Sequence, residues 1–324
     1  MGIDVTRITR WWALSVIALT TVTLIAGTAP RGTTHGAGDL VWVTKRNTGS
    51  VAVIDPTSNR VISEVEPSVS AIMQSVAVGA GAVWATDFPG RVYRIDPTNL
   101  TILATVPTVT YAGAVTAGNG VVWVENGVLL QVTRIDANTN QVAGHIEFEH
   151  AIYDVTMTDN AVWVVTQEGQ IHQFSPTAST IGQTIDVAGE PNAIAGSSAT
   201  VWASDLIFGR VLRISAGGVQ LIDLGVVSLE APGIAVGLGS VWVATGENGT
   251  VIRIDANTDQ QLATIDLGGW VEDVAVGAGA VWAVLPEDAL VVRIDPATNQ
   301  VTAHIRVAGF PSAVAVGLDT RRNY

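Results

Sequence analysis

Residues 241–280 read VWVATGENGTVIRIDANTDQQLATIDLGGWVEDVAVGAGA, and most of the chain after residue 38 consists of variations on this stretch. It begins with Val-Trp-Val and stops where the next Val-Trp begins. The tryptophans of this pattern are Trp42, Trp84, Trp123, Trp163, Trp202, Trp242 and Trp282, spaced by 42, 39, 40, 39, 40 and 40 residues. A fixed period in this range predicts a repeat architecture, in which one supersecondary unit is copied and stacked.

Each repeat predicts four short strands. In the quoted copy, runs rich in β-branched and aromatic residues cover 240–245, 250–255, 261–267 and 273–276, and turns rich in Gly, Asn and Asp separate them. Four such runs at about ten-residue spacing are typical of an antiparallel meander. No stretch after residue 38 has a helical period long enough to compete.

The strand count predicts how the repeats assemble. We name the strand ending in Ile-Ala-Val-Gly strand A, the Val-Trp strand B, and the next two C and D. The chain starts with a B strand at 39–44 and ends with an A strand at 313–316. We therefore expect an all-β, seven-bladed β-propeller of four-stranded antiparallel blades, in which the C-terminal strand pairs with the N-terminal blade. The predicted propeller covers residues 39–317, followed by a tail at 318–324.

The composition limits the function. Hydrophobic residues make up 48% and charged residues 14% of the chain, and its formal charge of −13 disfavours nucleic-acid binding. The absence of cysteine excludes disulfides, thiolate metal sites and a cysteine nucleophile.

Residues 1–30 have a different composition from the repeats. Arg7 and Arg10 precede an uncharged run from 11 to 27, which predicts a hydrophobic helix acting as a signal peptide or signal anchor. Seventeen residues lie at the lower edge of a membrane span, and both cleavage and retention stay open. Residues 31–38 form a linker. We expect the propeller to be extracytoplasmic, either secreted or anchored to the cell membrane by residues 11–27.

Two further residue types recur at fixed positions of the repeat (columns), as the tryptophans do. Aspartates that end the C strands at one column are predicted to cap turns: Asp55, Asp96, Asp136, Asp255 and Asp295. Arginines that precede them share another column and are predicted to support turns or neighbouring blades: Arg94, Arg134, Arg213, Arg253 and Arg293.

These units, of the form GAVWVxxxxxGxVxRIDPxTNxV with a following IAVG, resemble the repeats of YVTN-type seven-bladed β-propellers of bacterial envelopes. They are more distantly similar to virginiamycin B lyase-like (streptogramin lyase) propellers. The resemblance covers about residues 39–317 and implies the fold. A lyase of the second family would need histidines and a glutamate together on one face with a magnesium ion, and His150 is the single histidine expected there.

The predicted binding face is the end of the ring where the D–A and B–C loops meet, because these loops vary while the opposite turns are monotonous. Asp154 and Asp273 share one column just ahead of strand A, and Glu168, Glu247 and Glu287 share one in the B–C loops. A cation or cationic partner would suit this acidic sector, and a solvated acidic rim is the alternative. Further candidates on this face are His150, Tyr153 and Trp270.

The sequence thus favours an exported, monomeric binding module for an envelope protein, peptide or glycan, without catalysis. A metal-assisted lyase is the alternative. If a metal binds, Asp154 and Asp273 would hold Ca²⁺ or Mg²⁺ through carboxylate oxygens.

Overall fold

The computed structural model describes residues 39–67, 71–198, 200–205, 207–226 and 233–317. The predicted signal or anchor segment, the linker and the tail lie outside the described residues. In the part of the chain that is described, no helix is long and apolar enough to cross a membrane.

The described residues form 28 strands in seven four-stranded sheets, and all paired strands are antiparallel. The A strands are β4 (Met73–Gly79), β8 (Val115–Gly118), β12 (Ile152–Met157), β16 (Pro191–Ser197), β20 (Ile234–Gly237), β24 (Asp273–Gly277) and β28 (Pro311–Gly317). The B strands are β1 (Leu40–Lys45), β5 (Ala82–Asp87), β9 (Val121–Asn126), β13 (Val162–Thr166), β17 (Thr200–Asp205), β21 (Ser240–Ala244) and β25 (Ala280–Leu285).

The outer two strands of each blade follow the same order. The C strands are β2 (Ser50–Asp55), β6 (Arg91–Asp96), β10 (Gln131–Asp136), β14 (Gln170–Phe174), β18 (Arg210–Ser215), β22 (Thr250–Asp255) and β26 (Leu290–Asp295). The D strands are β3 (Arg60–Val65), β7 (Thr101–Pro107), β11 (Gln141–Glu147), β15 (Gln183–Asp186), β19 (Gly218–Asp223), β23 (Gln261–Asp266) and β27 (Gln300–Arg306). A 3-10 turn at Gly127–Leu129 lies in the third B–C loop.

The A strands lie at the centre of the seven sheets. Each A strand contacts the A strands of both neighbouring blades, from β4 through β24 to β28 and back to β4. Strand β28 also pairs with β1, with Trp42 opposite Ala315 and Val43 opposite Val314. The first blade, in the order β28-β1-β2-β3, therefore combines residues from both ends of the described chain. The structure is an all-β seven-bladed propeller, as predicted.

The hydrophobic core lies between neighbouring blades rather than within one sheet. One cluster, for example, joins Trp42 and Val53 of blade 1 to Met73, Val83 and Ile95 of blade 2. Five of the seven repeated tryptophans are completely buried, and Trp202 and Trp163 retain exposures of 3% and 7%. The period of about 40 residues thus places one large flat side chain into each inter-blade layer.

The repeated aspartates cap the C–D turns, as the sequence predicts. Asp136 accepts hydrogen bonds from the backbone N–H groups of Asn138 and Thr139 at 2.9 Å. The turn ends at Asn140, whose φ of 56° lies in the left-handed region, a conformation that asparagine tolerates well.

Candidate functional site

A cavity of about 310 Å³ opens at the end of the ring where the D–A and B–C loops meet. All seven blades contribute to it near the start of their A strands. These residues are Gln74, Ser75, Gly113, Ala114, Tyr153, Asp154, Asn192, Ala193, Gly233, Ile234, Glu272, Asp273, Ser312 and Ala313. Arg46, Tyr111 and Glu125 complete the lining. We call this cavity the mouth.

Asp154 and Asp273 occupy equivalent positions in the mouth and make equivalent contacts. Asp154 accepts hydrogen bonds from the N–H of Val155 at 2.7 Å and from that of Ile194, in the next blade, at 2.9 Å. Asp273 accepts the corresponding bonds from Val274 and Val314, both at 2.8 Å. Each carboxyl group therefore joins its own A strand to that of the next blade.

Both carboxyl groups have pKa values above that of an ordinary aspartate. Burial raises the pKa of Asp154 to about 7 against the lowering effect of its two backbone hydrogen bonds, and the charge of Asp273 raises it further. Burial likewise raises the pKa of Asp273 to about 6. Both side chains line the mouth, so they face a common space although they belong to blades 4 and 7.

Glu125 on strand β9 is a mouth residue that the sequence analysis missed. Its Oε2 accepts a hydrogen bond from the N–H of Ala114 at 3.3 Å, and its exposed fraction is 4%. Gly113 and Gly127 make room for it, because a Cβ atom on either would overlap a carboxylate oxygen. Burial raises the pKa of Glu125 to about 8, so the group is mostly protonated at neutral pH.

Glu125 differs in residue type from the equivalent positions of the other repeats. Two residues after the tryptophan, the other blades carry Thr44, Thr86, Val165, Ser204, Ala244 and Val284. The hydroxyl of Thr86 bonds the backbone N–H of Ser75 at 3.1 Å, and that of Thr44 bonds Ala313 at 3.0 Å. A glutamate in this column replaces a short hydroxyl contact with a carboxyl group, and this departure from the column could have identified it.

Arg46 is the cationic side chain of the mouth lining. Its Nη2 donates to Oε1 of Glu272 at 2.6 Å, and its guanidinium lies 5.9 Å from the ring centre of Phe310. Burial raises the pKa of Glu272 to about 7, the Arg46 charge opposes that shift, and the Asp273 charge adds to it. Glu125, Asp154, Glu272 and Asp273 thus give the mouth an excess of acidic over basic groups.

Exposed apolar side chains lie on the same face as the mouth, in blades 2 to 5. These are Ile72, Phe88, Val128, Leu129, Tyr153, Ile207 and Phe208, with exposed fractions between 37% and 58%. We call this set the apolar rim. Apart from Ile72 and Tyr153, which lie in or next to D–A loops, its members lie in B–C loops.

Buried ion pairs support two of the loops that carry the rim. Asp87, completely buried, accepts from Nε of Arg91 at 2.7 Å and from the hydroxyl of Tyr93 at 2.8 Å. Asp205 accepts from Nε of Arg210 at 2.9 Å in the equivalent loop of blade 5. Phe88 and Phe208 lie in these two loops, shortly after Asp87 and Asp205. The ion pairs therefore stabilise the backbone that carries the two aromatic rings.

The structure brings together three of the eight residues predicted from the sequence, namely Asp154, Asp273 and Tyr153. Glu168, Glu247 and Glu287 are exposed in B–C loops and do not line the mouth. His150 and Trp270 are half-buried in D–A loops outside its lining. These five residues lie on the predicted face but around the cavity rather than in it.

The described residues form no ready-made set of metal ligands in the mouth. Among the described residues, no three His, Cys, Asp or Glu side chains are placed to hold a metal ion. In addition, both oxygens of Asp154 and of Asp273 already accept backbone N–H groups. The prediction that these residues bind Ca²⁺ or Mg²⁺ stays untested, and no chemical step is assigned to a metal.

The fold and the mouth define a repeat-built β-propeller whose variable loops surround one cavity. A family model described as a repeat of unknown function (DUF6923) matches residues 14–133, which is less than half of the chain. No curated protein matches the sequence.

Two solved structures illustrate the likeness of the fold. A streptogramin B lyase is 18% identical with a TM-score of 0.67, over 76% of this chain and 87% of that one. The computationally designed protein Ika8 is 15% identical with a TM-score of 0.65, over 86% and 90%. At these identities both show the propeller fold alone, and the finer YVTN-type resemblance stays a prediction.

Proposed function

We propose that this propeller is a non-catalytic binding module, and that its mouth and apolar rim bind a peptide segment of a partner protein. The segment would insert a cationic side chain into the mouth and lay apolar side chains on the rim. The observation that carries the proposal is the combination of four poorly solvated carboxyl groups with seven exposed apolar side chains on one face. Exposed apolar side chains that lie beside a cavity on one face are consistent with an interaction site.

A cationic group would gain from the raised pKa values. Burial holds the pKa of Glu125 at about 8 and that of Asp154 at about 7, so part of the mouth is protonated at neutral pH. An inserted ammonium group favours the ionised carboxylates and lowers their pKa values. Binding therefore releases protons and strengthens as the pH rises from 6 to 8.

Isothermal titration with the peptide acetyl-Phe-Lys-Phe-amide tests this function, and the matched peptide with norleucine in place of lysine is the neutral control. We expect the lysine peptide to bind about tenfold more tightly at pH 8 than at pH 6. Glu125→Gln should reduce that pH dependence, with the part due to Asp154 and Glu272 remaining, whereas Asp136→Asn, at the opposite end of the blades, should leave it unchanged. Equal binding of the two peptides, or an equal effect of the two substitutions, would contradict the proposal.

A lyase of the streptogramin lyase class is the second candidate. The observation in its favour is that Glu125, Asp154 and Glu272 have pKa values of about 8, 7 and 7 in one cavity, which suits general acid–base catalysis near neutral pH. Incubation with a streptogramin B, followed by chromatography, separates the candidates, since a lyase would convert the compound and a binding module would return it intact.

We also propose that residues 1–30 export the propeller, as the basic residues ahead of an uncharged run indicate. A phosphatase reporter fused after Tyr324, active only outside the cytoplasm, should then be active. A fluorescent reporter that folds only inside should stay dark, and the reverse result would refute export.

A further inference from the structure

Five of the seven interfaces between blades contain an arginine in the same position of the C strand. In blade 2, the guanidinium of Arg94 lies 5.5 Å from the ring centre of Trp84. It donates to the carbonyl oxygen of Ala137 at 2.8 Å and to Oδ1 of Asn140 at 3.0 Å, both in the C–D turn of blade 3. We call this arrangement the arginine bridge.

The complete bridge recurs at two further interfaces. Arg293 lies 5.4 Å from the ring centre of Trp282 and donates to the carbonyl of Pro56 at 2.9 Å and to Asn59 at 3.0 Å. Arg253 stacks on Trp242 and bonds Pro296 and Asn299 in the same way. An aromatic face, a backbone carbonyl and a side-chain oxygen thus form a site for guanidinium at each of these interfaces.

The interface between blades 4 and 5 lacks both halves of the bridge. Gln173 takes the place of the arginine, opposite Trp163 in the sheet. The C–D turn of blade 5 has two residues between β18 and β19, where that of blade 3 has four between β10 and β11. The shorter turn omits the residue equivalent to Asn140.

A groove of about 500 Å³ opens at this interface, lined by Trp163, Gln173, Ile185, Ile214, Ala216 and Val219 among others. Trp163 is the most exposed of the seven repeated tryptophans, and its indole Nε1 is buried without a hydrogen-bond partner among the described residues. Ala216 stands where Ala137 stands in the complete bridge of blade 3. The groove therefore keeps the aromatic ring and an alanine at the first position of the turn, but has no guanidinium.

The interface between blades 1 and 2 shows that a missing arginine alone does not open a groove. Val53 replaces the arginine there, and Leu100 replaces the asparagine of the turn. Both pack with Trp42, which is completely buried, in one apolar cluster. Apolar side chains compensate for the missing bridge at this interface, whereas the polar Gln173 and the short turn leave the other one open.

We propose that the groove between blades 4 and 5 binds an arginine side chain presented by a partner protein. The guanidinium would lie over Trp163 and donate to the backbone of the turn that carries Ala216, as Arg94, Arg253 and Arg293 do at their interfaces. An aromatic face attracts a guanidinium more strongly than an aliphatic surface of the same exposed area does. The net charge of −13 also favours a cationic partner. This site is separate from the mouth, because the C–D turns lie at the opposite end of the blades.

The test uses the peptides acetyl-Gly-Arg-Gly-amide and acetyl-Gly-Lys-Gly-amide on the ¹⁵N-labelled full-length protein. The readout is the indole N–H resonance of Trp163, assigned through Trp163→Phe. We expect the arginine peptide to shift this resonance saturably and the lysine peptide to bind several-fold more weakly, because an ammonium cannot stack flat on the ring. No shift with the arginine peptide, or equal shifts with both peptides, would overturn the proposal.

The variant Gln173→Arg supplies the missing side chain. Because this change should stabilise the fold, a lost response to the peptide cannot be attributed to unfolding. The variant should rebuild the bridge, raise the melting temperature and abolish the response to the arginine peptide. Val53→Arg is the matched control, since it forces a guanidinium into a packed apolar interface and should lower the melting temperature without affecting peptide binding. Unchanged peptide binding in Gln173→Arg would also overturn the proposal.

Discussion

Two sets of carboxyl groups lie at opposite ends of the blades, and their pKa values are shifted in opposite directions. At the C–D turns, backbone hydrogen bonds from Thr139 and Asn138 lower the pKa of Asp136, and those from Asn257 and Thr258 lower that of Asp255. At the mouth, burial raises the pKa values of Glu125 and Asp154 to about 8 and 7. The first set is stabilised as charged groups, and the second is stabilised as neutral ones.

The difference follows from how the two sets relate to the repeat. The turn aspartates recur at one position of the repeat because five blades share the same C–D turn. Their charge therefore serves the architecture. The mouth carboxyl groups depart from their columns, where other blades carry Ser, Thr, Ala, Gly or Val. The other blades form without an acid at these positions, so the blade architecture does not require one. A poorly solvated acid in a cavity therefore indicates a functional role.

The largest expected effect comes from removing a repeated strand. Deleting residues 311–324 removes β28, the pairing partner of β1 and the neighbour of β4 and β24. Exposed strand edges and inter-blade surface should then cause aggregation and the loss of a cooperative melting transition. Deleting 318–324 alone is the control and should give a soluble protein with an unchanged melting temperature. A well-behaved 1–310 protein would show that this pairing does not hold the ring together.

The second effect is a pH dependence of stability that arises from the mouth. Because the folded-state pKa of Glu125 exceeds its ordinary value of 4.5, the folded protein holds more protons than the unfolded chain between about pH 4.5 and pH 8. Stability therefore falls as the pH rises through this window. The turn aspartates act oppositely, since their lowered pKa values give stability that is lost only as the pH falls below about 3.8. We expect the highest melting temperature between about pH 4 and pH 5.

Glu125→Gln isolates the mouth contribution. Glutamine resembles the protonated glutamic acid in shape and keeps an oxygen for the Ala114 N–H, but it cannot ionise. The variant should match the wild type at pH 5 and exceed its free energy of unfolding at pH 8 by roughly 3 to 5 kcal/mol. Urea unfolding at the two pH values measures this gain, and Glu168→Gln on the exposed loop should show none. A variant that is less stable than the wild type at pH 8 would refute the assignment.

The sequence predicted the repeated features and missed those that depend on packing. The period of the Val-Trp pairs determines the blade number, and the aspartate column determines the turns. Asp154 and Asp273 were found because both depart from a column that faces the centre. Glu125 was missed because its strand reads as a B strand throughout. Its departure from the other blades marks the position in the sequence, and the two glycines packed against it in space show that a carboxyl group fits there. The exposed Glu168, Glu247 and Glu287 show the converse, since their shared column does not tell which way a loop side chain faces.

The smallest expected effect concerns a repeated arginine and distinguishes the two sets by its pH profile. Arg293→Met keeps an apolar stem beside Trp282 but loses the hydrogen bonds to Pro56 and Asn59, which should cost about 1 to 2 kcal/mol. The acceptors that lose their donor are a backbone carbonyl and a side-chain amide oxygen, which carry no ionisable proton, so the loss should be the same between pH 5 and pH 8. Arg306→Met, at an exposed position of β27, is the control and should change the melting temperature little. A loss that grows with pH would mean that the bridge is coupled to the mouth carboxyl groups, and the division between architectural and functional charges would then fail.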